Sequence, residues 1–169
     1  TNLLDLDNLI EENIKLLAQA KNKDTSELQA CVLKRPRHND IIKTLEKMGV
    51  KINFISDGDV SGVMSVGISK MNTDIYFGIG GGPEGVLAAA ALKCMGCQMQ
   101  TRLVFQNSKE EMRAKSLGIK DLNKKYNIED MIKGDVIFCA TGITDGDLVR
   151  GIKVHGDTFQ SETFVLHKS

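Results

Sequence analysis

The sequence has 169 residues, which is the length of one domain or of one part of a larger protein. Its 22 Lys and Arg residues balance its 22 Asp and Glu residues, so no overall basic field exists to attract a nucleic acid or an anionic membrane. Hydrophobic residues make up 41% and charged residues 26% of the chain, which is typical of a folded domain with a core. We therefore expect no nucleic acid and no membrane among its partners.

The four cysteines indicate a reducing compartment, because all of them lie in apolar stretches that are predicted to be strands or a helix. We therefore expect a cytoplasmic protein. Cys94 and Cys97 form a single CxxC pair, which leaves a zinc or redox site as an alternative to two reduced core thiols. A zinc site needs four ligands, and the sequence offers neither a second pair nor a nearby His.

Apolar spacing and breaker residues predict a regular alternation of helices and strands. In chain order, we expect a helix over residues 7–22, a strand over 28–34, a helix over 39–48, a strand over 51–56, a helix over 59–69, a strand over 74–79, a helix over 85–92, a strand over 98–105, a helix over 108–117, two short helical turns over 121–131 and a strand over 135–141. Asp7 is the expected N-cap of the first helix. Alternating residues near Val154 and in 163–167 predict a closing antiparallel pair.

This order predicts an α/β fold: a mostly parallel or mixed sheet with helices on both faces and closing antiparallel strands at the C-terminus. No linker-like composition divides the chain, so residues 1–169 are expected to form a single α/β lobe. We expect Leu103, Val104 and the apolar helix faces to share one core. In such folds ligands bind beyond the carboxyl ends of the strands, which directs attention to the segments that follow them.

The segment after the first predicted strand carries Arg35, Pro36 and Arg37. The two guanidinium groups are planar forks that suit phosphate oxygens, and Pro36 stiffens the turn between them. The alternative is a solvated basic turn that leads into a helix. The local sequence does not separate these two interpretations.

Asp57, Gly58 and Asp59 follow the second predicted strand. Two carboxylates on either side of a glycine suit hydrogen bonds from sugar hydroxyls or contact with a cation. The alternative is that Asp59 caps the next helix and Asp57 caps the turn. This alternative explains one aspartate more readily than both.

A glycine-rich segment, residues 78–85, follows the third predicted strand and includes Gly81 and Glu84. Such a run lets the backbone approach a ligand, and its N–H groups suit anions where a helix begins. Glu84 also fits the first helical turn simply because the helix dipole favours it there. The segment matches neither the dinucleotide-binding nor the P-loop pattern.

The remaining polar groups give weaker signals. Asp145 and Asp147 flank a glycine, which is more typical of a plain turn. His38, His155 and His167 are isolated in the sequence, and we expect surface or strand positions for them rather than catalytic roles.

Together these motifs resemble one known family. The segments RPRHNDII, FISDGDVSG, DIYFGIGGGPEGVLAAAALKCMGCQMQTRLV and DVIFCATGITDGDLVRGI closely resemble class II fructose-1,6-bisphosphatases. The resemblance implies hydrolysis of the 1-phosphate of fructose 1,6-bisphosphate with Mn²⁺ or Mg²⁺, in gluconeogenesis, and a homo-oligomer. It also implies a substrate-binding role for Arg35-Pro36-Arg37, Asp57-Gly58-Asp59 and Gly81, and a metal-ligand role for Glu84.

Members of this family are much longer than 169 residues. The resemblance therefore implies that the chain corresponds to the C-terminal, substrate-binding half of such an enzyme, without the N-terminal half that carries most metal-binding carboxylates. The isolated chain is then expected to be inactive. The alternatives are a sedoheptulose-1,7-bisphosphatase and a non-catalytic phosphosugar-binding module.

Overall fold

The computed structural model describes residues 3–169, so the first two residues of the predicted lobe lie outside the described part. The fold is α/β, as predicted, with a parallel three-stranded sheet and three small antiparallel sheets. The helices are α1 (Ile10–Lys21), α2 (Asn39–Lys47), α3 (Asp59–Met64), α4 (Gly82–Met95), α5 (Ser108–Ser116) and α6 (Ile128–Met131). The strands are β1 (Gln29–Leu33), β2 (Lys51–Ile55), β3 (Ile75–Phe77), β4 (Gln100–Arg102), β5 (Lys125–Asn127), β6 (Val136–Thr141), β7 (Lys153–His155), β8 (Thr158–Gln160) and β9 (Thr163–Lys168).

The parallel sheet has the order β2-β1-β3, with β1 in the centre. The central strand is an almost fully buried apolar run, which is the pattern of a parallel strand covered on both faces. Because the three strands run in the same direction, Leu33, Ile55 and Phe77 all end at one edge of the sheet. This edge carries the three predicted motifs.

Helices cover both faces of this sheet. Ala30 and Val32 of β1 point to the face where α1 and α2 pack around Ile14, Leu17 and Leu45. Cys31 points to the opposite face, where a Cβ on Gly62 of α3 would lie 3.5 Å from its sulfur. The small glycine therefore lets α3 approach the sheet closely.

The prediction of one shared core is wrong, because the buried residues form three clusters. Besides the cluster under α1 and α2, one cluster joins Met64, Ala91 and Phe138, and another joins Ala89, Leu92 and Ile128. Val104 is 64% exposed, and neither it nor Leu103 belongs to any of the three clusters. The sheet itself separates the first cluster from the other two.

Two predicted element types differ from the structure. Residues 121–131 contain the strand β5 before the short helix α6, because β5 pairs with β4 in an antiparallel ladder. The C-terminal strands are antiparallel as predicted, but the strand near Val154 does not pair with the strand over residues 163–167. Instead β9 pairs with β6, and the intervening β7 and β8 form their own hairpin.

Asp7 does not cap the first helix, which begins at Ile10 with Leu9 as its N-cap. The Asp7 carboxylate instead forms ion pairs with Arg102, at 2.6 Å, and with Lys125, at 2.9 Å. A long-range pairing of this kind leaves no local trace in the sequence.

Across residues 3–169, every helix falls short of the length and apolar character that crossing a membrane would require.

Candidate functional site at the carboxyl edge of the parallel sheet

The three predicted motifs meet at the carboxyl edge of the parallel sheet. Residues 34–38 follow β1, residues 56–59 follow β2, and residues 78–84 follow β3 and lead into α4. We refer to residues 78–84 as the glycine-rich segment. Side-chain contacts join the first and second motifs to this segment.

Arg35 precedes a short 3₁₀ turn, Pro36–His38, and Arg37 is the middle residue of that turn. The Arg37 Nε donates a hydrogen bond to the Ile79 carbonyl oxygen at 2.7 Å, which leaves its two terminal nitrogens to face solvent. The Arg35 guanidinium bonds the Lys34 carbonyl oxygen at 3.1 Å. Within residues 3–169, neither arginine forms an ion pair, although both side chains carry permanent charge.

His38 lies at this edge but takes neither of its expected positions, surface or strand, because it is fully buried at the end of the 3₁₀ turn. Its Nδ1 lies 2.6 Å from the Leu33 carbonyl oxygen, and its Nε2 accepts a hydrogen bond from the Ile79 N–H at 2.8 Å. Since a backbone N–H is only a donor, Nε2 has no proton and Nδ1 donates to Leu33. The neutral ring therefore joins the end of β1 to the glycine-rich segment.

Asp57 and Asp59 take different positions. Asp57 is exposed, and its carboxylate accepts a hydrogen bond from the N–H of Gly58 at 2.9 Å. Gly58 has a φ of 81°, a left-handed conformation that glycine adopts without strain. Asp59 opens α3 and points towards the glycine-rich segment, where a Cβ on Gly80 would lie 2.8 Å from its Oδ2.

Close approach explains why glycines occupy this segment, since none of its φ values is positive. A Cβ on Gly78 would lie 2.6 Å from the Tyr76 hydroxyl oxygen, and a Cβ on Gly81 would collide with the Glu84 carboxylate. Each glycine therefore makes room for a polar side chain. Gly82 differs, because a Cβ there would meet no atom within 4 Å.

Tyr76 on β3 is a residue that sequence reasoning did not single out. Burial, followed by the negative charge of Asp59, raises the pKa of its phenol to about 12, with the charge of Arg37 acting in the opposite direction. The phenol is therefore close enough to both Asp59 and Arg37 for their charges to act on it. The alternation of β3 is the only sequence signal that directs Tyr76 towards α3.

Glu84 lies in the first turn of α4 and is exposed. Across the described chain, no group of three or more His, Cys, Asp or Glu side chains could hold a metal ion. Glu84 offers one carboxylate, and a Mg²⁺ or Mn²⁺ site needs several oxygen ligands. Residues 3–169 therefore do not fit a complete metal centre by themselves.

The site thus combines unpaired guanidinium groups, two aspartates and open backbone next to a helix N-terminus. A profile of the family described as "Bacterial fructose-1,6-bisphosphatase, glpX-encoded" matches residues 1–169. The chain belongs to this family. Its membership agrees with the resemblance that the motifs carry.

Curated relatives support this assignment. The chain is 36% identical over 171 residues to the D-fructose 1,6-bisphosphatase class 2/sedoheptulose 1,7-bisphosphatase of a Synechococcus strain, an alignment that covers 92% of this chain and 49% of the relative. It is also 36% identical over 178 residues to the fructose-1,6-bisphosphatase class 2 of Haemophilus influenzae, covering 97% of this chain and 53% of that protein. The chain spans about half the length of these curated relatives.

Proposed function

We propose that the chain supplies the substrate-binding lobe of a metal-dependent sugar-bisphosphate phosphatase that converts fructose 1,6-bisphosphate to fructose 6-phosphate and phosphate. The observation that carries this proposal is the pair of arginines, Arg35 and Arg37, which have no acidic partner in the described chain. Arg37 bonds the glycine-rich segment at Ile79, and Asp59 adjoins the same segment at Gly80. A substrate with a phosphate at one end and hydroxyls along its length matches this arrangement of charge.

Each motif has a distinct role in the proposal. Arg35 and Arg37 bind the phosphate that is not cleaved, with Pro36 fixing the turn between them. Asp57 and Asp59 accept hydrogen bonds from sugar hydroxyls, and Gly58 sets the turn that separates them. Gly81 leaves the backbone open to the substrate. These contacts orient the sugar so that the opposite phosphate is presented for hydrolysis.

In this proposal Glu84 supplies one ligand to Mn²⁺ or Mg²⁺, and the other ligands come from outside residues 3–169. A bound divalent cation neutralises charge on a phosphoryl group and lowers the pKa of a bound water. The chain alone is accordingly expected to bind the sugar bisphosphate but to release no phosphate.

Two related functions remain alternatives. A sedoheptulose 1,7-bisphosphatase activity is favoured by the Synechococcus relative, whose name includes both substrates. A phosphosugar-binding module without chemistry is favoured by the lack of a three-ligand metal cluster within residues 3–169.

We further propose a homo-oligomer in the cytoplasm that acts in gluconeogenesis. Family membership supports the pathway and the assembly, and the four free cysteines support the reducing compartment. Light scattering after size-exclusion chromatography measures the assembly directly. A purely monomeric species at micromolar concentration contradicts it.

Binding to the purified chain tests the central proposal. Calorimetric titration with fructose 1,6-bisphosphate is expected to show saturable binding, which Arg35→Ala or Arg37→Ala weakens about tenfold or more, because a charge-assisted hydrogen bond is lost. Arg113→Ala is the matched control, since Arg113 lies on the remote helix α5. Unchanged affinity in both site variants contradicts a phosphate-binding role and shows that residues 35–37 form only a solvated turn.

Catalysis requires a longer protein, for which we suggest a chimera in which the chain replaces the matching part of the Haemophilus influenzae relative. Phosphate release from fructose 1,6-bisphosphate and sedoheptulose 1,7-bisphosphate by the chimera ranks the two substrates. A folded chimera that binds the sugars without any turnover favours the binding-module alternative.

A further inference from the structure

We propose that His38 is a positioning residue that holds the glycine-rich segment in the conformation that receives substrate. It contacts no substrate in this proposal. It acts through the backbone of Ile79, which lies between the end of β3 and the glycines that adjoin Asp59 and Glu84. The proposal deepens the proposed function and rests on it for the identity of the ligand.

Two consecutive residues hold both backbone groups of Ile79. The Arg37 Nε donates to the carbonyl oxygen of Ile79 at 2.7 Å, and His38 Nε2 accepts from its N–H at 2.8 Å. The other ring nitrogen of His38 is anchored at 2.6 Å to the carbonyl oxygen of Leu33, the last residue of β1. The segment is thereby tied to the most buried strand of the sheet.

This connection is needed because β3 alone does not fix the segment. Its ladder with β1 ends at Phe77, which pairs with Val32, so residues 78–81 extend beyond the sheet. Residues 78–81 are all exposed, and three of them are glycines. Glycine allows the backbone more conformations than any other residue does. A chain of this composition needs an external anchor to keep one conformation.

The burial of His38 makes the anchor rigid. The ring is completely inaccessible to solvent, so water does not substitute for either of its hydrogen bonds. The ring also links two of the three motifs, because His38 directly follows the arginines that are proposed to bind phosphate. A displaced ring therefore alters the spacing between those arginines and the glycine-rich segment.

Two variants with amide side chains distinguish the two hydrogen bonds of the His38 ring, the one to Leu33 and the one to Ile79. In His38→Asn, the shorter side chain places an amide near the position of Nδ1, so the bond to Leu33 is retained and the bond to Ile79 is lost. In His38→Gln, the longer side chain places an acceptor oxygen near the position of Nε2, so the bond to Ile79 is retained. His155→Asn is the matched control, because His155 is exposed on β7.

The experiment combines amide hydrogen exchange by NMR with calorimetric titration of fructose 1,6-bisphosphate into the full chain. We expect His38→Asn to speed exchange of the Ile79 amide at least about tenfold and to weaken binding by about the same factor, while β1 amides keep their protection. His38→Gln is expected to restore most of both properties. Equal binding by the unmodified chain and His38→Asn overturns the inference.

Long-range ¹H–¹⁵N spectra of the unmodified chain test the inference even if a variant fails to fold. They must show His38 with a protonated Nδ1 and an unprotonated Nε2, and a proton on Nε2 overturns it. An unmodified chain that does not bind fructose 1,6-bisphosphate, yet shows this tautomer and the exchange pattern, contradicts the proposed function and not the anchoring of the segment.

Discussion

At the scale of single residues, the site depends on side chains that pack against glycine backbone. Gly80 adjoins the Asp59 carboxylate and Gly81 adjoins the Glu84 carboxylate. Within residues 3–169, neither carboxylate accepts a hydrogen bond, and the missing Cβ atoms give both groups the room that they occupy. This arrangement leaves the carboxylates open to ligands.

The Gly81–Glu84 contact yields a first prediction. Gly81→Ala is expected to push the Glu84 carboxylate aside and to lower phosphate release by the chimera at least about tenfold, with Glu84→Gln lowering it by about a hundredfold. Gly82→Ala is the matched control, because its Cβ meets no atom within 4 Å. Steady-state kinetics at several Mn²⁺ concentrations measure the effect, and near-normal turnover by Glu84→Gln removes this residue from the metal site.

A second prediction concerns Tyr76. Burial, followed by the charge of Asp59, raises the pKa of its phenol to about 12, so it ionises well above the ordinary tyrosine value of about 10. The unfolded chain releases this proton first, so the raised pKa makes the free energy of unfolding fall as the pH rises from about 10 to 12.

Ultraviolet titration of the Tyr126→Phe variant isolates Tyr76, because the chain has two tyrosines. Asp59→Asn is expected to lower the measured pKa of Tyr76, while Asp57→Asn leaves it nearly unchanged. An ordinary pKa in the folded Tyr126→Phe variant shows that the phenol is not enclosed beside Asp59.

At the scale of elements, Asp74 connects α1, β1 and β3 through hydrogen bonds. Its side chain is 7% exposed, and its carboxylate bonds Lys21 at the end of α1 and the N–H of Gln29 at the start of β1, just before β3 begins. Burial raises the pKa of this carboxyl group, but the hydrogen bonds from Lys21 and Gln29 outweigh burial and hold it below its ordinary value.

The third prediction follows from this lowered pKa. Asp74 stabilises the fold at neutral pH, and its contribution is lost as the pH falls below about 4, through the pKa of the folded state. Asp74→Asn is expected to lower the free energy of unfolding by about 1.5–3 kcal/mol at pH 7 and by less at pH 3. Urea unfolding at both pH values measures this, with Asp157→Asn in the exposed β7–β8 turn as the control. An equal effect at the two pH values contradicts an ionic role.

At the scale of the whole molecule, the segment before α1 is held against a distant sheet. Lys125 of β5 bonds both Asp5 and Asp7, and the Leu6 N–H donates to the Gln100 side chain at 2.7 Å. Asn13 bonds the backbone of Asp5 through both its amide oxygen and its amide nitrogen. The segment closes one side of a groove of about 610 Å³ that runs beside β3 and β4.

The fourth prediction tests this attachment. Lys125→Gln is expected to speed amide exchange at Leu6 severalfold, and added salt to speed it in the unmodified chain, because exposed ion pairs are screened. Lys124→Gln is the control, since Lys124 pairs with Asp130 instead. The two-dimensional NMR exchange series also reports β1 amides, which are expected to stay protected. A Leu6 amide that is insensitive to both changes shows that the ion pairs do not hold the segment.

The sequence by itself determined the α/β class, the parallel sheet and the placement of the three motifs after β1, β2 and β3. These features depend on local patterns: apolar runs, a Pro or Gly at an element end, and polar residues directly after a strand. Parallel strands then bring their carboxyl ends to one edge, so local information was enough to expect that residues 34–38, 56–59 and 78–84 meet.

Only the tertiary structure decided how these residues are held. His38 and Ile79 are 41 residues apart, and the burial of the ring depends on both strands being in place. The pairing of β9 with β6 and of Asp7 with Lys125 likewise depends on contacts between remote segments. Periodicity and composition describe which face of an element is apolar, but they carry no information about which distant group will lie against a polar side chain.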